Sequence, residues 1–142
     1  MKRSKILILD DERDGIQHLN DALSLKHDLV LGRKISDAIQ LLDNPNSNFD
    51  LIICGIHLLH ESMFDFLRQV RSQAANKQVP FICFRIASTQ FAENMDKNIQ
   101  KSAKLLGANG YVIIEDTEDP ETLLKTVESK IGTLVPELKA QK

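Results

Sequence analysis

An α/β fold, with five parallel strands in one sheet and helices on both faces, is what this chain predicts. Three observations carry that prediction. Five short apolar runs recur along the 142 residues. Segments with helical apolar spacing alternate with the runs, the signature of repeated strand–helix units. The length suits one domain with enough material to bury a real core, and no repeat, linker or low-complexity stretch interrupts it.

The first run, Ile6 to Leu9, ends in three acids, Asp10, Asp11 and Glu12. Ile16, Leu19 and Leu23 then mark a first helix. The "DLVLG" stretch holds the second run, Leu29 to Leu31, the weakest of the five, and reads as an edge strand. Ala38, Ile39, Leu41 and Leu42 mark a second helix with Ser36 as its expected N-cap. Leu51 to Cys54 shows no polar alternation, as befits a strand buried on both faces, and it stops at Gly55. A third helix opens with Ser62 and Asp65 at capping-box spacing and continues through Phe66, Leu67 and Val70. Phe81 to Ile86 form the fourth strand. Phe91, Met95, Ile99 and Ala103, four apart, give a fourth helix one core-facing stripe. Tyr111 to Ile114 form the fifth strand. The last helix starts at Asp119, with Pro120 in the first turn where its missing N–H costs nothing. Its apolar face runs through Leu123, Leu124, Val127, Ile131 and Leu134. Pro136 ends it, giving a domain over 1–135 and a frayed tail over 136–142.

The net charge of −2 supplies no general pull toward nucleic acid or an anionic membrane. One Tyr and no Trp leave little for a base-stacking surface. No stretch approaches the roughly 20 apolar residues that span a bilayer. The basic start "MKRSK" precedes an apolar run too short for a secretory signal. Cys54 and Cys83 sit inside apolar runs, so buried free thiols in a reducing cytoplasm are expected.

In open sheets of this kind the functional crevice lies outside the carboxyl ends of the strands. Asp10–Glu12, Gly55, Arg85 and Ile114 all fall at that edge. His57 and His60 form an H-x-x-H pair beside the acids, a candidate transition-metal site together with Asp10 or Asp11. The stretch "LDDERDGIQ" has neither Walker nor Rossmann glycine spacing, and no Ser-His-Asp or Cys-His arrangement is legible.

Several motifs resemble one family. "KILILDDE" is similar to the first strand and acidic pair of response-regulator receiver domains, the flavodoxin-like (CheY-like) phosphoacceptor modules of two-component signalling. "DLIICGIHLLHESMFDFLRQVR" matches their third strand, loop and third helix, "VPFICF" their fourth strand, and "GANGYVII" their fifth. The resemblance implies strand order 2-1-3-4-5. It implies that Asp10 and Asp11 are the acids that hold Mg²⁺ in working receivers. It also places Gly55 at the phosphoacceptor aspartate, Arg85 at the hydroxyl residue, Ile114 at the lysine, Glu115 at the proline after it, and Tyr111 at the switch aromatic. Three of the five functional side chains are therefore gone, and the loop carries Leu59, His60 and Met63 in place of the family's Pro and Gly.

A carboxylate is needed at the acceptor position because an acyl phosphate forms on its oxygen. No aspartyl phosphorylation is expected here, and no cofactor beyond a weak Mg²⁺ on Asp10 and Asp11. A working pocket sets three carboxylates against one lysine, whereas this one sets Asp10 and Asp11 against Arg85. The expectation is that the Arg85 guanidinium takes the cation's place; the alternative is that it turns out to solvent. Tyr111 is expected to be fixed. The segment between Arg85 and Gly107 is longer than in a minimal receiver by roughly two helical turns, next to the face of fourth helix, fifth strand and fifth helix where the family docks partners.

The resulting expectation is a degenerate receiver, not an enzyme, that signals in the cytoplasm through a protein partner on that face, or through a homodimer. The alternatives are a receiver using Asp10 or Asp11 as a displaced acceptor, and a small metal-dependent or ligand-binding enzyme on the same scaffold.

Overall fold

A computed structural model describes residues 3–11, 13–44, 46–56, 58, 61–73, 76, 78–87, 93–115 and 119–129. In chain order the elements are β1 (Lys5–Leu9), α1 (Arg13–Leu23), β2 (Asp28–Gly32), α2 (Ile35–Asp43) and β3 (Leu51–Gly55). They continue with α3 (Met63–Ser72), β4 (Phe81–Ala87), α4 (Glu93–Leu105) and β5 (Gly110–Glu115), and α5 covers 120–129. The strands pair in parallel in the order β2-β1-β3-β4-β5, as expected.

Strand alternation divides the core in two. Ile6, Ile8, Ile53, Ile82 and Phe84 face α1 and α5, packing on Leu19, Leu23, Leu123 and Val127. Leu7, Leu9, Ile52, Cys54, Phe81 and Cys83 face the other way, onto Ala38, Leu42, Phe66, Leu67, Val70 and Ala103 from α2, α3 and α4. Each fully buried aliphatic or aromatic side chain contributes about 1.5–3 kcal/mol, so these two layers dominate the stability. β2 is the edge: Leu29 and Val30 are half-buried and Leu31 is 42% exposed, which is why its apolar run was faint.

The helix starts differ from expectation in two places. α2 begins at Ile35, one residue before Ser36, with Lys34 extended in the N-cap position. A cap residue is not needed there, because Glu61 Oε1 accepts the Ile35 N–H at 2.9 Å and so satisfies an orphan donor. Ser62 does precede α3, yet it makes no side-chain capping bond. Asp65 instead accepts from Arg68 Nη1 at 3.0 Å. At α5 the expectation holds: Asp119 Oδ1 accepts the Thr122 N–H at 3.0 Å, and the hydrogen bonds to Thr122 hold its carboxyl below the usual value. Ile99 and Ala103 of α4 face the core. Glu12, His57, Leu59, His60, Phe91, Ile131, Leu134 and the tail from Pro136 lie outside the described residues, as does the proposed H-x-x-H metal pair.

At the amino end of the sheet, buried His27 joins elements far apart in sequence. Its Nδ1 accepts the Ser4 N–H at 3.1 Å, so the proton sits on Nε2, which donates to Glu128 Oε2 at 3.1 Å. α5 is thereby tied to the start of β1. Among the described residues no helix is long and apolar enough to cross a membrane.

Candidate functional site

The pairing of Leu9 with Cys54 brings the next residues, Asp10 and Gly55, side by side at the carboxyl edge. Asp10 is held there by its N–H to Gly32 O at 3.3 Å, and its carboxylate is buried, only 3% of the residue being exposed. A Cβ built on Gly55 would lie 2.7 Å from Asp10 Oδ1 and 2.8 Å from Asp10 Cγ. The Asp10 carboxylate thus occupies the space that a side chain at position 55 would need.

The same carboxylate is confined from a second side. A Cβ on Gly15, in the first turns of α1, would meet Asp10 Oδ2 at 2.6 Å and Phe84 Cε1 at 3.3 Å. Asp10 therefore lies between two glycines, one from a strand end and one from a helix. Gly15 was missed by sequence reasoning. Its signal was a glycine inside a helix, which costs roughly 1 kcal/mol against alanine and so marks a close approach.

Gly55 pairs with Phe84 across β3–β4, which puts Arg85 one step further along the same edge. Arg85 is only 8% exposed, so the solvent-facing alternative does not hold. Arg85 pairs with Ile113, and Ile86 with Ile114, which places position 114 at the β5 end of this edge. Asp11 is half-buried and lines an open cleft with Arg13, Ile16, Gln17 and Arg33. Tyr111 lies deeper, in register with Cys83. It packs half-buried on the layer shared with α3 and α4, and with Ala103, Lys104 and Ala108 it lines a cavity of about 220 Å³.

The residues at the Gly55 edge do not fit a divalent ion held in the receiver manner. Position 55 offers no side-chain oxygen, and the carboxylate of Asp10 takes the space an acceptor would fill. Among the described residues no group of three or more His, Cys, Asp or Glu side chains is placed to hold a metal.

Below the edge, Cys54 and Cys83 are paired positions on adjacent strands, free and buried. Cys54 Sγ donates to Gly55 O at 3.4 Å, and Cys83 Sγ lies 3.8 Å from Met63 Sδ. Burial pushes the Cys54 thiol well up, and the negative charges of Cys83, Asp10 and Asp11 push it further. Burial alone takes the Cys83 thiol from 9.0 to about 12. A thiol raised by folding favours the folded state below its unfolded pKa, and that stability is lost as pH rises through the folded value. Stability should therefore fall between about pH 9 and 12. Denaturant titrations of the wild type and of Cys83→Ala check this, and the variant should show a shallower fall. Neither thiol should react with a thiol reagent at neutral pH until the chain is unfolded.

No known family profile matches the chain, and no curated protein does. Solved structures do. The chemotaxis response regulator CheY4 of Vibrio cholerae superposes with a TM-score of 0.72 at 23% identity, over 91% of this chain and 99% of that one. The signal receiver domain of an HD domain-containing protein from Pseudomonas fluorescens gives 0.72 at 21% identity, over 98% and 94%. NtrX from Brucella abortus gives 0.78 at 18% identity, over 98% of this chain and 29% of that larger one. At such identities the likeness concerns architecture, and the architecture is unambiguous: this chain has the fold of response-regulator receiver domains.

Proposed function

We propose that this chain is a degenerate receiver, a cytoplasmic signalling module that works by protein–protein contact and without aspartyl phosphorylation. One observation carries the reading above the rest: the acceptor position is a glycine, and the Asp10 carboxylate stands where its side chain would be. Asp10 and Asp11 lack the third carboxylate that would call for a divalent ion. The buried Arg85 supplies a permanent cation at the same edge, since guanidinium cannot lose its proton and forks well onto carboxylate. A buried charge is costly unless it is paired, and every fully buried side-chain nitrogen and oxygen among the described residues has a partner. On this reading Arg85 takes the place of the ion and Ile114 removes the lysine that would meet a phosphoryl group. No cofactor is then required and no reaction is catalysed.

With no phosphoryl input, no ligand supplies the differential affinity that shifts a receiver between states. One state of Tyr111 is then fixed, and regulation passes to partner binding, expression level or dimerisation. The partner or second copy docks on the face of α4, β5 and α5. Leu105 and Ile113, 80% and 42% exposed, offer apolar contacts on α4 and β5.

Two-dimensional amide NMR tests the reading. Spectra are recorded alone, with excess Mg²⁺, and with Mg²⁺ plus beryllofluoride, a phosphoryl mimic. The expected result is no saturable shift at Asp10, Asp11 or Gly55. Saturable shifts there that propagate to Tyr111 would overturn the proposal. If Arg85 replaces the ion, Arg85→Ala should open the edge to Mg²⁺ and give shifts that the wild type lacks. An Arg85→Ala protein as silent toward Mg²⁺ as the wild type removes that role from Arg85.

A further inference from the structure

The cleft of about 440 Å³ lined by Asp11, Arg13, Ile16, Gln17 and Arg33 lies outside the Gly55 pocket and shares only Asp11 with it. Its position follows from topology. β1 pairs in parallel with β2, Leu9 against Gly32. From those adjacent ends the chain leaves in opposite directions, into α1 over one face of the sheet and into α2 over the other. The two loops therefore part at the β1–β2 end of the carboxyl edge and leave the cleft between them, one strand away from the β1/β3 switch point where such sheets commonly hold ligands. Arg13 opens α1 and Arg33 directly follows β2, so the two cations flank that crevice from different elements.

Neither guanidinium is engaged: among the described residues Arg13 and Arg33 have no hydrogen-bond or ion-pair partner, and both are exposed. Arg3, Arg68 and Arg71 all bond to the protein itself. The lining sets two cations against the single carboxylate of Asp11, in a chain of net charge −2. The remaining lining limits what fits. Ile16 provides an apolar wall. Gln17 donates from Nε2 to Asp21 Oδ1 at 2.7 Å, which leaves its Oε1 as an acceptor. Asp11 adds a carboxylate, which repels a bare anion but accepts hydrogen bonds from hydroxyl groups. The volume lies in the range of small-molecule sites, about 300–1,000 Å³, rather than that of a flat protein contact.

We propose that this cleft binds a small phosphomonoester of a sugar or polyol. The Arg13 and Arg33 guanidinium groups take the phosphate through forked hydrogen bonds. Asp11 and Gln17 Oε1 take the hydroxyls, and Ile16 packs against the carbon skeleton. Guanidinium groups do here what a glycine-rich loop would do elsewhere, which accounts for a phosphate site without the glycine spacing. The site is independent of whether the Gly55 edge takes a phosphoryl group.

Amide NMR titration of the full chain with ribose 5-phosphate, with ribose and with inorganic phosphate tests the proposal. Ribose 5-phosphate should give saturable shifts at residues 11, 13, 16, 17 and 33. Inorganic phosphate and ribose should each bind on the order of tenfold or more weakly. Arg13→Gln and Arg33→Gln should each weaken binding by about tenfold or more, the worth of a charge-assisted contact. Both positions are exposed, so the fold should survive the substitutions. Asp11→Asn should narrow the preference for the ester over inorganic phosphate. The proposal is overturned if ribose 5-phosphate does not saturate at millimolar concentrations. Equal binding of inorganic phosphate or ribose overturns it, as does an unchanged response in the Arg13→Gln/Arg33→Gln double variant.

Discussion

Putting the missing acceptor back by Gly55→Asp should destabilise the chain by about 3–5 kcal/mol, the range for an uncompensated buried charge, and should not restore labelling by a small phosphodonor. The new Cβ would arrive 2.7 Å from Asp10 Oδ1 and 2.8 Å from its Cγ, well inside van der Waals contact. Asp10 has little room to retreat, because its other oxygen already lies against the α1 backbone at Gly15. Steric and electrostatic parts separate experimentally. Gly55→Ala carries only the overpacking part, about 1–3 kcal/mol, and most of that should vanish in an Asp10→Ala background, where the space is vacated. The electrostatic part depends on pH. Two carboxyl groups in one buried site cannot both ionise, so the pKa of one is raised by folding. The deficit of Gly55→Asp against the wild type is then largest at neutral pH and shrinks as pH falls and that group takes up its proton. Denaturant titrations across the carboxylate range measure both parts. A Gly55→Asp protein as stable as the wild type would mean that Asp10 does not close the pocket.

The origin of that closure explains what the sequence could and could not reveal. Strand–helix alternation placed all five strands and their carboxyl edge, because apolar periodicity is a local signal set by which face is buried. Gly55 was legible as an emptied position only through the resemblance to receiver domains, which places their phosphoacceptor aspartate there. The occupation of the empty space by Asp10 was not legible. It depends on a register, Leu9 against Cys54, and on Gly15 of α1 admitting the carboxylate from the other side. The register leaves no mark in a window of neighbouring residues, and a glycine inside a helix marks a close approach without saying which group makes it. The caps divide in the same way. Asp119 with Pro120 is a local device and formed as read, whereas Ile35 is capped by Glu61, 26 residues away, and Ser36 was a reasonable local misreading. Arg13 and Arg33 drew no attention in the sequence, because only the pairing of β1 with β2 brings them to one cleft.

Arg71 is the strongest instance of a residue whose role lies wholly in distant contacts, and Arg71→Ala should be among the most damaging substitutions outside the apolar layers. In the sequence it is one more basic residue near the end of a helix. In the structure its guanidinium gathers the turns that begin β4 and β5. Nε and Nη2 donate to Gly107 O at 3.0 and 2.8 Å. Nη1 donates to Val79 O at 2.7 Å and to Asn76 O at 3.2 Å. Nη2 also reaches Asn109 Oδ1 at 3.0 Å, and that same oxygen accepts the Phe81 N–H at 2.9 Å. Partial burial lowers the Arg71 pKa from its ordinary value, yet a guanidinium stays charged at any pH the fold survives. Truncation leaves several half-buried carbonyls without their donor, each costing about 1–3 kcal/mol where water cannot replace it. A total loss of about 3 kcal/mol or more is expected from equilibrium denaturation. Arg71→Lys keeps the charge but has one nitrogen for a task that uses three, so it should recover less than half of the loss. Gly107, at φ +108 with Arg71 Nε 3.0 Å from where a Cβ would be, should be the matching sensitive position on the other side of the contact. The consequence reaches the proposed partner face, because Gly107 and Asn109 set where α4 ends and β5 begins. Loosening them should raise amide exchange around Tyr111 before it does so at β1 or β3. If Arg71→Ala melts like the wild type, or if exchange rises uniformly, the guanidinium is a surface contact and not the tie between α3 and β5.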